Sequence, residues 1–107
     1  MYILPLQPNP NFKYRSVLDG YEFELRFAWA PVQSMWFVDV VCEELYVDVK
    51  GIALVTGFNI LGGRGLYQVG FLALIDLQGS EDPNFEDFGD RWKLLYLTRD
   101  EVDARGT

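Results

Sequence analysis

Residues 21–29 read YEFELRFAW. Tyr21, Phe23, Leu25, Phe27 and Trp29 alternate with Glu22, Glu24, Arg26 and Ala28. Only an extended strand, whose side chains project to opposite faces in turn, puts every aromatic on one side and the charges on the other. A helix would scatter them around its circumference. This stretch therefore predicts a β-strand with one buried face, and a fold able to cover that face.

The same period recurs along the chain. Phe12, Tyr14 and Ser16 alternate with Lys13, Arg15 and Val17, and Asp19-Gly20 between the two runs suits a tight hairpin turn. Pro31 and Gln33 mark the next boundary, and MWFVDVVC reads as a strand. Glu43-Glu44 forms the expected turn, and Leu45, Val47 and Val49 then alternate with Tyr46, Asp48 and Lys50. Gly51 breaks or bulges that run. Residues 52–56, IALVT, read as a further short strand, and residues 58–61, FNIL, as one helical turn stopped by Gly62-Gly63-Arg64-Gly65. LYQVGFLALIDL, residues 66–77, reads as one long strand, and RWKLLYLT, residues 91–98, as the last. The polar tail RDEVDARGT is expected to fray, with DEVDAR able to form a short helix. About seven or eight close-spaced strands imply an all-β fold, a small antiparallel barrel or sandwich. One β domain is expected over residues 1–100, with a polar C-terminal tail over 101–107.

Residues 69–75, VGFLALI, do not alternate. A small antiparallel sheet usually keeps one face wet. Either the domain covers both faces of this strand or a partner covers the outer one. Sequence leaves the two open, and with them the question of which strand face is core.

Composition removes several function classes. The formal charge is −7, against a nucleic-acid surface, which needs clustered Lys and Arg, and against anionic membranes. No apolar run reaches the length of a spanning helix. MYILPLQPNP lacks the basic start and long apolar stretch of a signal peptide, so synthesis in a cytoplasm is expected. There is no histidine, which excludes Ser-His-Asp and Cys-His catalysis and ordinary His-containing zinc sites. The single cysteine, Cys42, excludes an internal disulfide and reads as a packed strand residue.

The chemical motifs are weak. EDPNFEDFGD, residues 81–90, gathers Glu81, Asp82, Glu86, Asp87 and Asp90. Counted from Asp82 as an EF-hand loop, it has Asp87 where glycine is required and Lys93 where the bidentate glutamate belongs. A pair of carboxylates for glycosidase-like acid–base work lacks any adjacent cleft legible in sequence. Asp82-Pro83-Asn84 and Gly89 favour turn chemistry instead, with Arg91 and Lys93 as ion partners. GFNILGGRG lacks the Lys-Ser/Thr of a phosphate loop. Trp29 and Trp36 flank a hairpin and read as a cross-strand pair. No catalytic residue, metal ligand or cofactor is assigned. One function these residues leave open is a carbohydrate- or calcium-binding β-module built on Trp92 and the acidic loop.

The order of these segments resembles a known family. WFVDV is followed by GIALVTGFNIL; a long apolar strand leads to D-L-Q-G; EDPNFEDFG then precedes RWKLLYLT. This is similar to the small baseplate plug proteins of contractile-tailed bacteriophages, of the cyanophage-baseplate type. The likeness rests on Trp36–Asp39, Gly51–Leu54, Gly57, the E-D-P loop, Gly89, Arg91 and Leu94–Tyr96, and runs from Ile3 to Val102. The resemblance implies a non-enzymatic virion protein of the tail baseplate, without cofactor. It would be assembled in the bacterial host cytoplasm and would plug or seal the central assembly. Its implied partners are other tail and baseplate proteins (tail tube or its initiator, hub, spike), with multiple copies around the tail axis. The residues expected to meet a partner are Phe71, Leu72, Leu74, Glu81, Asp82, Phe85, Phe88 and Trp92.

Overall fold

The computed structural model describes residues 1–62, 66 and 68–105, the last without its side chain. Among these, the strands are β1 (Tyr2–Leu4), β2 (Asn11–Leu18), β3 (Tyr21–Ala30), β4 (Met35–Cys42), β5 (Val47–Ala53), β6 (Phe71–Asp76) and β7 (Trp92–Leu97). One 3-10 turn, Glu43–Leu45, and one helix, α1 (Arg99–Arg105), complete the fold. The strands form two antiparallel sheets, ordered β1-β7-β6 and β2-β3-β4-β5. The result is sandwich-like and not a closed barrel.

The alternation in β3 is realised. Phe23, Leu25 and Phe27 are buried, and Trp29 packs beside them. Register aligns Phe12 with Phe27, Phe27 with Val38, and Trp29 with Trp36, so each inward residue covers its neighbour across the ladder. The Trp29 and Trp36 rings lie 5.5 Å apart. Buried Cys42 is part of this core. The β2–β3 turn uses Asp19 and Gly20, both at positive φ, as a tight hairpin requires.

Four segments differ from the sequence reading. Tyr2–Leu4 is a strand, paired with β7. Residues 47–53 are one strand, because Gly51 takes the bulge and not the break of the two alternatives: it has φ 70, the register shifts beside it, and its N–H donates to Asp39 Oδ1. Residues 58–61 form no helical turn. Asn59 instead bridges Ala73, and its Oδ1 accepts the N–H groups of Leu61 and Leu72. Residues 66–70 are not strand where described. Gly63, Arg64, Gly65 and Tyr67 of the expected glycine turn and strand lie outside the described residues.

Asp19 fastens the two sheets together. Its Oδ2 accepts the N–H of Gly70 at 3.0 Å, the N–H of Arg99 at 2.9 Å and the hydroxyl of Tyr96. Burial, then this bond, pushes the Tyr96 phenol up from its ordinary ionisation range. Gly70 is obligatory here: a Cβ would sit 1.7 Å from the Leu97 carbonyl oxygen.

Candidate docking face and the acidic loop

The three-stranded sheet has two apolar faces, which explains the missing alternation. In β6, Leu72 and Leu74 point inward and are fully buried, while Phe71, Ala73 and Ile75 point outward and are not. In β7, Trp92, Leu94 and Tyr96 are buried, leaving Lys93, Leu95 and Leu97 outside. In β1, Leu4 is inside and Ile3 outside. Register sets Ile3, Leu95 and Ala73 in one row, Leu97 beside Phe71, and Lys93 beside Ile75. Lys93 alone in this array carries a charge, and its ammonium donates to the Gly89 carbonyl. Leu77, next in the outward phase of β6, is also exposed.

The other sheet's outer face is its opposite. It presents the row Lys13, Arg26, Asp39 and the row Arg15, Glu24, Val41. Arg26 pairs with Glu24 at 2.7 Å. One outer face is dressed for water and the other is not.

The acidic loop closes the end of the sandwich. Its anchor, Asp76, precedes it in sequence. The Asp76 carboxylate accepts both Nε and Nη2 of Arg91, at 2.6 and 2.7 Å, and the N–H groups of Gln78 and Glu81. Arg91 also reaches Glu81 at 3.2 Å and lies over the Trp92 ring. Thr56 Oγ1 donates to the Glu81 carbonyl at 2.6 Å, and Asp82 accepts the Thr56 N–H. Two indoles hold the loop backbone: Trp92 Nε1 donates to Glu81 O and Trp36 Nε1 to Asn84 O. Asn84 and Asp87 bond each other through both side chains and backbone. Phe85 and Phe88 stack on Trp36 at 5.7 and 4.1 Å. Gly89 has φ 97, and a Cβ there would meet Leu6 O at 2.3 Å.

The loop is therefore a folding element, built from turn chemistry and aromatic packing. The Asp82 carboxylate is spent on the Thr56 N–H and that of Asp87 on the Asn84 side-chain amide; Glu86 and Asp90 face solvent. Among the described residues, no group of three His, Cys, Asp or Glu side chains is placed to hold a metal ion. Losing the Thr56 hydroxyl removes one pin. Thr56→Val is expected to cost about 1 kcal/mol in urea unfolding, and an unchanged midpoint would contradict the pinning role.

Arg91, through its hydrogen bonds first, holds the Asp76 carboxyl well below the usual carboxylate range; burial opposes this, and the backbone N–H groups reinforce it. A depressed folded-state pKa contributes stability that is fully present above the unfolded value. It is lost as pH falls through the folded one. The melting temperature should thus drop below roughly pH 4, the unfolded carboxylate range. Asp76→Asn should melt lower at neutral pH and show a shallower acid slope. Parallel melting curves for the two proteins against pH would contradict this.

The residues expected to meet a partner divide in two. Phe71, Glu81 and Asp82 are exposed and Phe85 is half-buried. Leu72, Leu74, Phe88 and Trp92 are core residues, each 1% exposed or less. They belong inside because strand phase turns Leu72 and Leu74 inward, Phe88 fills the space over Trp36, and Trp92 lies beneath Arg91. Burial likewise removes Trp92 as a sugar-stacking platform. Ile3, Leu95 and Leu97 share the outer face with Phe71 but were not legible as candidates, because that required the register of three distant strands.

No curated protein matches the chain. A family model described as cyanophage baseplate Pam3 plug gp18 matches residues 1–100. The match covers every strand of both sheets and the acidic loop, and the chain belongs to this family of phage baseplate plug proteins.

Proposed function

We propose that this chain seals the central passage of a contractile-tail baseplate, seated on tube, hub or spike proteins through the apolar outer face of its three-stranded sheet. Family membership makes it a structural component of the virion tail that associates with other baseplate proteins. The family is a structural one, which argues against an enzyme. The finer role rests on one observation: an outer sheet face of Ile3, Phe71, Ala73, Ile75, Leu95 and Leu97 beside a second sheet whose outer face is charged.

Burying apolar surface is worth about 25 cal/mol per Å², so the exposed Ile3 and Phe71 side chains favour a covered state. Glu81, Asp82 and Phe85 would lie toward the rim, where charge sets partner choice more than affinity. Several copies around the tail axis, assembled in the host cytoplasm, complete the proposal.

The role is tested by deleting the gene from its phage. Particles that lack the protein should have unsealed or incomplete baseplates and lose infectivity. Infectious particles with complete, sealed baseplates would overturn it.

A further inference from the structure

Strand β2 leaves a long edge uncovered. It has eight residues and pairs only with β3. Bonded pairs alternate along an antiparallel ladder. The Trp29 N–H donates to Pro10 O, so with the observed register the bonded pairs continue at Phe12/Phe27, Tyr14/Leu25 and Ser16/Phe23. The N–H and C=O groups of Lys13, Arg15 and Val17 therefore point away from β3. Asn11, at the head of the same row, fits: its N–H is taken by Asn9 Oδ1. The other sheet edges are less open. β1 has three residues and stops before Pro5, and β5 is bent by the bulge at Gly51.

Side chains along β2 show the same incompleteness. Its inward row, Phe12, Tyr14 and Ser16, is only half-buried, although Phe23, Leu25 and Phe27 beside it are fully so. The Tyr14 hydroxyl is buried with no hydrogen-bond partner among the described residues. The outward row carries Lys13 and Arg15, two cations in a chain of net charge −7. Lys13 makes no ion pair among the described residues; Arg15 reaches Glu22 at 3.2 Å with its side chain still mostly exposed.

We propose that the β2 edge receives an extended segment of a partner protein as a fifth strand of this sheet, with carboxylates at alternate positions facing Lys13 and Arg15 and apolar side chains covering Phe12 and Tyr14. In such strand addition, main-chain hydrogen bonds supply affinity and alternate side chains select the segment. A second copy pairing through its own β2 is disfavoured, since cations would then face cations across the new ladder. Lys and Arg on an edge also deter indiscriminate pairing. A segment of opposite charge is what passes that filter.

The test uses the isolated chain and needs no tail protein. A short peptide alternating valine and glutamate is compared with one alternating valine and lysine, reading residue-resolved amide exchange. The acidic peptide should slow exchange at Lys13, Arg15 and Val17 by about tenfold or more, with Phe12 and Tyr14 unchanged and the basic peptide without effect. Val17→Pro removes an outward donor but no β2–β3 bond, and should weaken the acidic peptide about tenfold. Lys13→Glu should shift the preference toward the basic peptide, and decides the matter if Val17→Pro fails to fold. No protection by either peptide, or equal protection by both, overturns the proposal. Protection of the same amides in a self-associated form, without peptide, assigns the edge to a second copy and overturns it equally.

Discussion

Leu72→Asp does not fold, whereas Phe71→Asp melts within a few degrees of the parent. These are the expected results for two adjacent residues of β6 whose side chains differ only in the sheet face they occupy. Leu72 is fully buried, and its backbone N–H and C=O bond Asn59 Oδ1 and the Ile60 N–H. Tyr96 across the ladder and Asn59 across the bridge bring no positive charge to a carboxylate introduced there. An unpaired buried charge costs several kcal/mol, against a total stability of about 5–15 kcal/mol for a domain of this kind. Phe71 is 43% exposed, beside Leu97 on the outer face. A carboxylate at that position stays hydrated. Circular dichroism and urea melts of the two purified proteins check the pair. Unfolding of both would mean that the domain itself needs the outer face, and folding of both would mean that the strand phase is wrong.

Phe27→Ala should cost about 3–5 kcal/mol, the range for emptying a fully buried phenylalanine site. The ring is 2% exposed and central to an aromatic cluster: Phe12 lies 4.7 Å away, Tyr14 5.7 Å and Phe88 6.3 Å. Those neighbours come from β2 and the acidic loop, so the cavity cannot close by the shift of one element. Glu22→Ala, on the opposite face of the same strand, should leave the urea midpoint nearly where it was. Comparable losses for the two substitutions would contradict the assignment of faces in β3.

The legible parts of this fold are those in which sequence neighbours decide the structure. Strand β3 is one. Its aromatic alternation states both the strand and its buried face. Asp19-Gly20 is another, since few residues accept positive φ at consecutive turn positions. MWFVDVVC became β4 with the expected bounds.

The illegible parts depend on distant pairing. Tyr2–Leu4 is too short to show a period, and is strand because β7 runs beside it. Asn59 belongs to the tetrad FNIL, which suits a helical turn, yet β6 offers it a backbone to bridge. Segment 69–75 held the least resolvable ambiguity. With apolar residues in both phases, no periodicity distinguishes Leu72 from Phe71. Only the opposing sheet decides which enters the core.

The acidic loop combined both cases. Its turn residues and Gly89 were readable from local chemistry. The four residues that lock it from outside, Thr56, Asp76, Trp36 and Trp92, come from other elements. Asp76 is the clearest instance. It lies outside the acidic run, yet it holds Arg91 and two backbone N–H groups at once. The turn chemistry of this carboxylate-rich stretch is legible in sequence, whereas its anchoring charge, five residues before Glu81, is not.

We propose that the outer face of the three-stranded sheet joins this protein to its tail partners. Coexpression of the chain with the tube, hub and spike proteins of its phage, followed by gel filtration at raised salt, tests it most directly when parent and Phe71→Asp are run side by side. Apolar burial survives screening that weakens exposed charge pairs, so the parent should elute with a partner at high salt. The folded Phe71→Asp protein should elute alone. A Phe71→Asp complex as stable as the parent's, or a parent complex that dissolves in salt, would contradict the account.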